Sequence, residues 1–307
     1  MPTLLDMPEI RAFGNLELLA RQLVEGFITG LHQSPYHGFS VEFSEHRLYN
    51  AGESTRHLDW KVLARTDRLY VKRYEEETNL RCHLLLDVSP SMYYPTAGPQ
   101  TNGKLHFSIL SAAALATLLQ RQRDAVGLVT FADRIELQTP VRATAQHRHT
   151  LLLQLQQLLD RPQPAQQRTT DVAGVIHQIA QQIQKRSLVV IFSDMLSRTE
   201  NPEALFEALQ HLRHQRHEVL LFHVLDAATE ESFDFAERPY VFVDAETGEE
   251  VRLQPNQVRE QYRAAMGAFK QQLALRCGQY RIDFTPVDIR ESFDKVLFGW
   301  LVKRSKM

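Results

Sequence analysis

Cysteine is scarce: Cys82 and Cys277 are the two in 307 residues. That count excludes a small disulfide-framed fold. Nothing in the sequence places the two sulfurs near each other, so two buried thiols in a reducing compartment is the expectation. An excess of one charge is also lacking, with 35 Lys and Arg against 37 Asp and Glu. A general binder of nucleic acid or anionic membrane carries a basic excess, so neither partner is expected. No uncharged run reaches the roughly 20 residues a spanning helix needs. The first residues, MPTLLDMPEIRAFG, have early acids where a signal peptide has a basic head and an apolar body. A cytoplasmic protein without membrane insertion is the expectation. No Gly-x-x-x-x-Gly-Lys phosphate loop and no Gly-x-Ser-x-Gly elbow occurs, which removes the P-loop ATPases and the elbow hydrolases.

What is present divides near residue 80. Residues 11–33 carry Leu16, Leu19, Leu23 and Phe27 at helical spacing. From 38 to 81 short alternating runs, FSVEF and RLYVKRY, surround the turn signal AGES. Residues 1–80 are therefore expected to form a helix plus a β-rich extension. From Arg81 on, apolar strands alternate with helical stretches: RCHLLLDV, KLHFSILSAAALATLLQRQ, AVGLVTF, HRHTLLLQLQQLLD, DVAGVIHQIAQQIQ, SLVVIFSD, NPEALFEALQHLRHQ and EVLLFHVLD. IELQTP adds a short strand beside AVGLVTF. This order predicts an α/β fold, doubly wound around a mainly parallel sheet, over residues 81–307. A hairpin insertion is expected near 226–255, with DAETGE as its turn. A helix over 256–277, a strand at YRIDFTPV and a closing helix near 290–303 follow. Asn201 and Asn256 read as helix N-caps.

Oxygen donors gather where strands stop. LLLDVSPS (84–91) ends a buried run with Asp87, Ser89 and Ser91. SLVVIFSD ends with Ser193 and Asp194. RTTDVAGVI opens a helix with Thr169, Thr170 and Asp171. In an open α/β sheet, ligands bind beyond the carboxyl ends of the strands where the order reverses. Asp87, Ser89, Ser91, Ser193, Asp194 and the helix-start oxygens of Thr169, Thr170 and Asp171 are thus candidates for one metal site. Two carboxylates with neutral hydroxyls suit Mg²⁺, with Mn²⁺ or Ca²⁺ as alternatives. The bland alternative is that these residues serve as turn and cap residues.

Asp-x-Ser-x-Ser, then Thr, then Asp resembles the metal-ion-dependent adhesion site of the von Willebrand factor A fold, over residues 80–225, and the resemblance implies Asp87, Ser89, Ser91, Thr170 (with Thr169 as the alternative) and Asp194 as the metal ligands. The upstream stretch RLYNAGESTRHLDWKVLARTDRLYVKRYEEE is similar to the lead-in of the bacterial "domain of unknown function 58" proteins. Arg47, Tyr49, Gly52, Arg56, Asp59, Trp60, Ala64 and Arg65 match that pattern, while Glu53 and Leu58 depart mildly from it. With the lead-in, the resemblance spans about 35–300. It implies a von Willebrand A-like domain acting as a metal-dependent protein-interaction module. It also implies a MoxR-type AAA+ ATPase as partner, for which the chain would be adaptor or co-chaperone. The competing class is a phosphohydrolase with Asp87 as nucleophile. That chemistry needs a second acid two residues on, where Ser89 stands.

Other features carry bland readings. His211 and His214 suit the last turn of a helix, where cationic side chains are favoured, and His217 opens the next strand. His147–His149 reads as a solvated helix start. Asp59–Trp60 reads as packing, and residues 36–80 hold seven Lys or Arg against eight Asp or Glu, which makes no basic surface. The acidic block 225–250 reads as a solvated hairpin, with a partner surface as the alternative.

Overall fold

The computed structural model describes residues 80–95, 103–160, 171–183, 186–196 and 202–291, with shorter pieces at 16–18, 20–21, 24, 46–48, 65 and 70–72. The chain divides into two compact units, Met1–Ile28 with Leu80–Met307, and Thr29–Asn79. In the smaller unit β1 (His46–Leu48) pairs antiparallel with β2 (Tyr70–Lys72). The expected strand at 39–43, most of the lead-in including Asp59 and Trp60, and the closing helix at 292–303 lie outside the described residues. Near the N-terminus, Leu16, Ala20 and Val24 are buried at fourfold spacing on one helical face.

The larger unit is built on six strands. They are β3 (Arg81–Asp87), β4 (Ala125–Phe131), β5 (Ile135–Gln138), β6 (Leu188–Ser193), β7 (Glu218–Leu225) and, near the end of the described chain, Asp283–Asp288. A separate hairpin of β8 (Tyr240–Val243) and β9 (Glu250–Leu253) precedes that last strand, which is β10. The sheet order is β10-β7-β6-β3-β4-β5, and only β5 runs antiparallel to its neighbour. This is the doubly wound α/β sheet that the alternating pattern predicts. The chain starts at β3, steps outward through β4 and β5, then returns to the other side of β3 with β6. The order reverses between β3 and β6.

Five helices flank the sheet: α1 (Lys104–Arg121), α2 (Ala145–Leu159), α3 (Val172–Gln182), α4 (Pro202–His214) and α5 (Pro255–Gln279). Strand residues alternate between the two faces. Leu85, Val129, Val189, Ile191 and Leu221 pack in one cluster with Ile176 and Ile179 of α3, Leu209 of α4 and Leu273 of α5. The intervening residues, such as Leu84, Leu86 and Phe192, are fully buried on the opposite face. Helix α1 is buried over nearly its whole length, which its SAAALATLL composition permits because no charged side chain interrupts it. Cys82 and Cys277 are free, buried thiols, and burial pushes Cys277 up to about 12.

Two expectations are corrected. Helix α5 begins at Pro255 with Gln254 as N-cap, so Asn256 lies inside the first turn. Proline at the first helical position fixes the start one residue earlier, because its missing N–H costs nothing there. His147 is not solvated: it is 9% exposed, and a ring nitrogen lies 3.0 Å from the Val126 carbonyl oxygen. The N-cap Thr144, which accepts from the His147 amide, turns that side chain toward β4.

Candidate functional site

The register of the sheet assembles the site. Leu86 of β3 lies opposite Phe192 of β6, so the next residues, Asp87 and Ser193, meet at the carboxyl edge where the strand order reverses. The Ser193 hydroxyl donates to Asp87 Oδ2 at 2.6 Å, and the Ser89 amide donates to Asp87 Oδ1 at 2.9 Å. A short 3₁₀ turn, Pro90–Tyr93, follows Ser89. It folds the chain back so that the Ser89 and Ser91 hydroxyl oxygens stand 3.1 Å apart. Asp87, Ser89, Ser193 and Asp194 are completely buried.

Asp194 is aimed by the backbone after it. Met195 has a φ of 53°, in the left-handed region that a residue with a side chain enters at a cost. That conformation lets the Met195 amide donate back to the Ser193 hydroxyl at 2.8 Å. The Leu196 amide donates to Asp194 Oδ1 at 3.0 Å. Behind it, His223 of β7 lies with Nε2 2.9 Å from the Asp194 carbonyl oxygen. A carbonyl only accepts, so Nε2 carries the proton. Burial holds His223 down to about 4, so its ring is neutral.

The sequence pattern does not single out the cation of the site. Lys104, the first residue of α1, is fully buried and donates to Asp194 Oδ2 at 2.7 Å and to Glu230 Oε1. Glu230 sits in a single helical turn, Ala227–Glu231, directly after β7, and its other oxygen accepts from the Asp226 amide at 2.8 Å. Burial pulls Lys104 down, but Asp194 and Glu230 overbalance it and its pKa is raised. A lysine at a helix N-terminus opposes the macrodipole. A lysine heading a helix that carries no further Lys, Arg, Asp or Glu until Arg121 in its last turn is therefore the signal that could have flagged it. Glu230 has no such signal, because its role depends on where β7 ends.

Lys104 thus pairs with two carboxylates, Asp194 and Glu230, while Asp87 lies beside Asp194 and is held by hydroxyl and amide donors. Burial first, and then the Asp194 carboxylate, push Asp87 up to about 7. Negative charge at Asp87 is under-compensated. The donor set is hard oxygen throughout, two carboxylates and two hydroxyls, which fits Mg²⁺ or Ca²⁺ and not a thiolate or imidazole metal. Among the described residues no group of three His, Cys, Asp or Glu could hold a metal ion. An ion here would rest on serine hydroxyls, the two aspartates and water.

Four of the five expected site residues, Asp87, Ser89, Ser91 and Asp194, come together at this edge. Thr170, with its alternative Thr169, lies outside the described residues. Asp171 is exposed and serves as the α3 N-cap, accepting from the Gly174 amide at 2.9 Å. The histidines stay apart. His217 is buried and accepts from the Ser187 amide at 3.2 Å, while His211 lies 3.2 Å from His177.

Beside Ser91 and Glu230 opens a cavity of about 560 Å³. Its far wall is the insertion between β7 and α5, which supplies Phe233, Phe242 and Val251, while α5 supplies Tyr262.

Residues 45–272 match the family described as "Protein of unknown function DUF58". An uncharacterized protein of Mycobacterium tuberculosis, Rv1480, is 30% identical over 245 residues, covering 80% of this chain and 73% of its own. Its Mycobacterium bovis counterpart, Mb1516, matches to the same extent. Among solved structures, BatB from Bacteroides thetaiotaomicron is 14% identical with a TM-score of 0.44, covering 74% of this chain and all of its own. An aerotolerance-related membrane protein from Bacteroides fragilis is 16% identical with a TM-score of 0.46, at the same coverage. The VWA domain of SpRpn10 is 12% identical with a TM-score of 0.38, covering 71% of this chain and 93% of its own. Likeness at this level fixes no function. No helix among the described residues is long and apolar enough to cross a membrane. The sheet order, the Asp-x-Ser-x-Ser strand end and the match across 45–272 agree: this is a von Willebrand A-like chain that belongs to the DUF58 family.

Proposed function

We propose that the chain is a non-enzymatic protein-interaction module whose site at the β3 and β6 strand ends takes a divalent cation, Mg²⁺ first. The observation that carries this is Asp87. Its carboxylate is fully buried, the charge acting on it is that of another carboxylate, Asp194, and the Ser193 hydroxyl donates to it. Burying such a charge without a counter-charge is costly. A bound dication would supply the missing positive charge and an open position for a carboxylate of a partner protein. Ser89 and Ser91 would offer hydroxyl oxygens, while Ser193, Leu196 and the Ser89 amide hold the two aspartates in place. The family resemblance implies a MoxR-type AAA+ ATPase as partner. As a phosphohydrolase the site lacks the second acid, because position 89 is a buried serine bonded to Ser91.

Titration calorimetry with Mg²⁺ and Mn²⁺ tests the ion, and Asp87→Asn should abolish the heat. Binding of a purified MoxR-type ATPase should be lost on chelation. Turnover of a generic phosphoester that disappears in Asp87→Asn would instead establish the enzyme.

One observation favours a second reading, a metal-free scaffold. Lys104 already places a cation 2.7 Å from Asp194. On that reading millimolar Mg²⁺ gives no heat, and partner binding ignores the chelator.

A further inference from the structure

Two histidines meet across the helix pair that covers one face of the sheet. Ile176 and Ile179 of α3 share a buried cluster with Leu209 and Leu212 of α4. His177 and His211 follow Ile176 and precede Leu212, and they stand where that contact reaches water; His177 is exposed and His211 half-buried. The two are 34 positions apart in the chain, so only helix packing brings them together. Their Nδ1 atoms lie 3.2 Å apart. Their ring centroids lie 4.4 Å apart, with the ring planes at 38°.

Two facing imidazoles can share a proton or share a cation. An N–H···N bond aligned at both rings sets them end to end, with the centroids much farther apart than the nitrogens. These centroids are only a little farther apart than the nitrogens, so the rings lie side by side and a hydrogen bond between them is poorly aimed. With both Nδ1 atoms unprotonated, the same two edges offer lone pairs to one metal ion. The separation also selects the geometry. Two nitrogens about 2.0–2.1 Å from a tetrahedral Zn²⁺ stand about 3.3 Å apart, whereas at a right angle on a square-planar ion they stand about 2.9 Å apart. Partial burial, then His177 and His214, hold His211 below the ordinary histidine value, which keeps its ring neutral at neutral pH.

We propose that His177 and His211 form a two-imidazole Zn²⁺ site that clips α3 to α4. Among the described residues no group of three His, Cys, Asp or Glu could hold a metal ion, so water fills the remaining positions and the ion is exchangeable. The site is nitrogen where the cluster at the β3 and β6 strand ends is oxygen, and it does not depend on that cluster. Zn²⁺ here bridges residues that the unfolded chain holds apart, so binding it stabilises the folded state.

The test uses the full, metal-depleted chain with ¹⁵N-labelled histidine, in excess Mg²⁺ so that oxygen ligands are competed, and Zn²⁺ alone as the probe. Stoichiometric Zn²⁺ should move the Nδ1 signals of His177 and His211 in long-range ¹H–¹⁵N spectra. Their assignment comes from the signals lost in His177→Gln and His211→Gln. In calorimetry each substitution should weaken Zn²⁺ by about 10–100-fold or more, because losing a group that merely orients a ligand already costs that much. Zn²⁺ should raise the denaturation midpoint of the wild type and leave that of each variant in place. Zn²⁺ that moves neither signal, that binds both variants as tightly as wild type, or that leaves the wild-type midpoint unchanged overturns the proposal. The wild-type spectra and midpoint decide it whether or not the variants fold.

Discussion

Asp87 and Lys104 are the two residues on which the chemistry turns, and they are stabilised in opposite ways. Lys104 is a buried cation with two anionic partners, whereas Asp87 is a buried acid with hydrogen-bond donors and, among the described residues, no cation bonded to it. The raised Asp87 pKa means that the folded state holds a proton longer than the unfolded chain does. Its contribution to stability is complete below the ordinary aspartate range, and it is lost as pH rises through about 7. Asp87→Asn removes that loss. Denaturant titration at mildly alkaline pH should show the metal-free variant more stable than wild type by about 1–2 kcal/mol, although it no longer binds Mg²⁺. If an ion binds, it must displace the remaining proton. Mg²⁺ affinity should therefore rise with pH through neutrality, and calorimetry in two buffers of different ionisation enthalpy should show proton release. A pH-independent affinity would place the ion away from Asp87.

Three elements meet at one ammonium: the N-terminus of α1, the end of β6 and the turn after β7. Removing the cation from that junction leaves Asp194 and Glu230 buried without it. Lys104→Met should cost about 3–5 kcal/mol in chemical denaturation, the usual penalty for breaking one side of a buried pair. Lys104→Met with Glu230→Gln should recover part of that loss, because one of the stranded charges is gone. Additive costs would mean that the two groups do not share a network. A second junction lies on β4. A Cβ on Gly127 would stand 2.8 Å from the Val141 side chain and 3.3 Å from two carbonyl oxygens, those of Thr139 and Pro140. That segment is pinned to β4, since the Leu128 amide donates to the Thr139 hydroxyl at 2.7 Å. Gly127→Ala should lower stability by about 1–3 kcal/mol through overpacking, read as a lower denaturation midpoint with an unchanged slope. The hairpin of β8 and β9 is largely exposed, in keeping with a solvated hairpin, while its Phe242 lines the cavity.

Across the molecule, pH acts through groups of opposing sign. Burial holds His83 and His223 down to about 4, so each favours folding above the ordinary histidine value of 6.5, and that contribution is lost as pH falls through about 4. For the fully buried His223 this is worth at most about 3 kcal/mol. Asp87 works against it over nearly the same window. Wild-type stability should therefore fall modestly from neutral pH to about pH 4.5, and Asp87→Asn should fall more steeply. Parallel profiles would show that Asp87 is not the opposing group. The α/β class, the strand ends and four of the site residues were legible in the chain, because buried strands must be continuous apolar runs and must stop in polar residues. LLLDVSPS and SLVVIFSD already announce two strand ends that carry oxygens. What they cannot announce is that β6 returns to the far side of β3 and sets Ser193 against Asp87, because pairing between segments about a hundred residues apart leaves no local trace. The same holds for Lys104, whose partners sit on β6 and after β7, and for His147, whose burial follows from a cap that turns it onto β4. Periodicity and composition report which face of an element is dry. Only packing reports which charge lies against which, and the electrostatics of this site follow from that second fact.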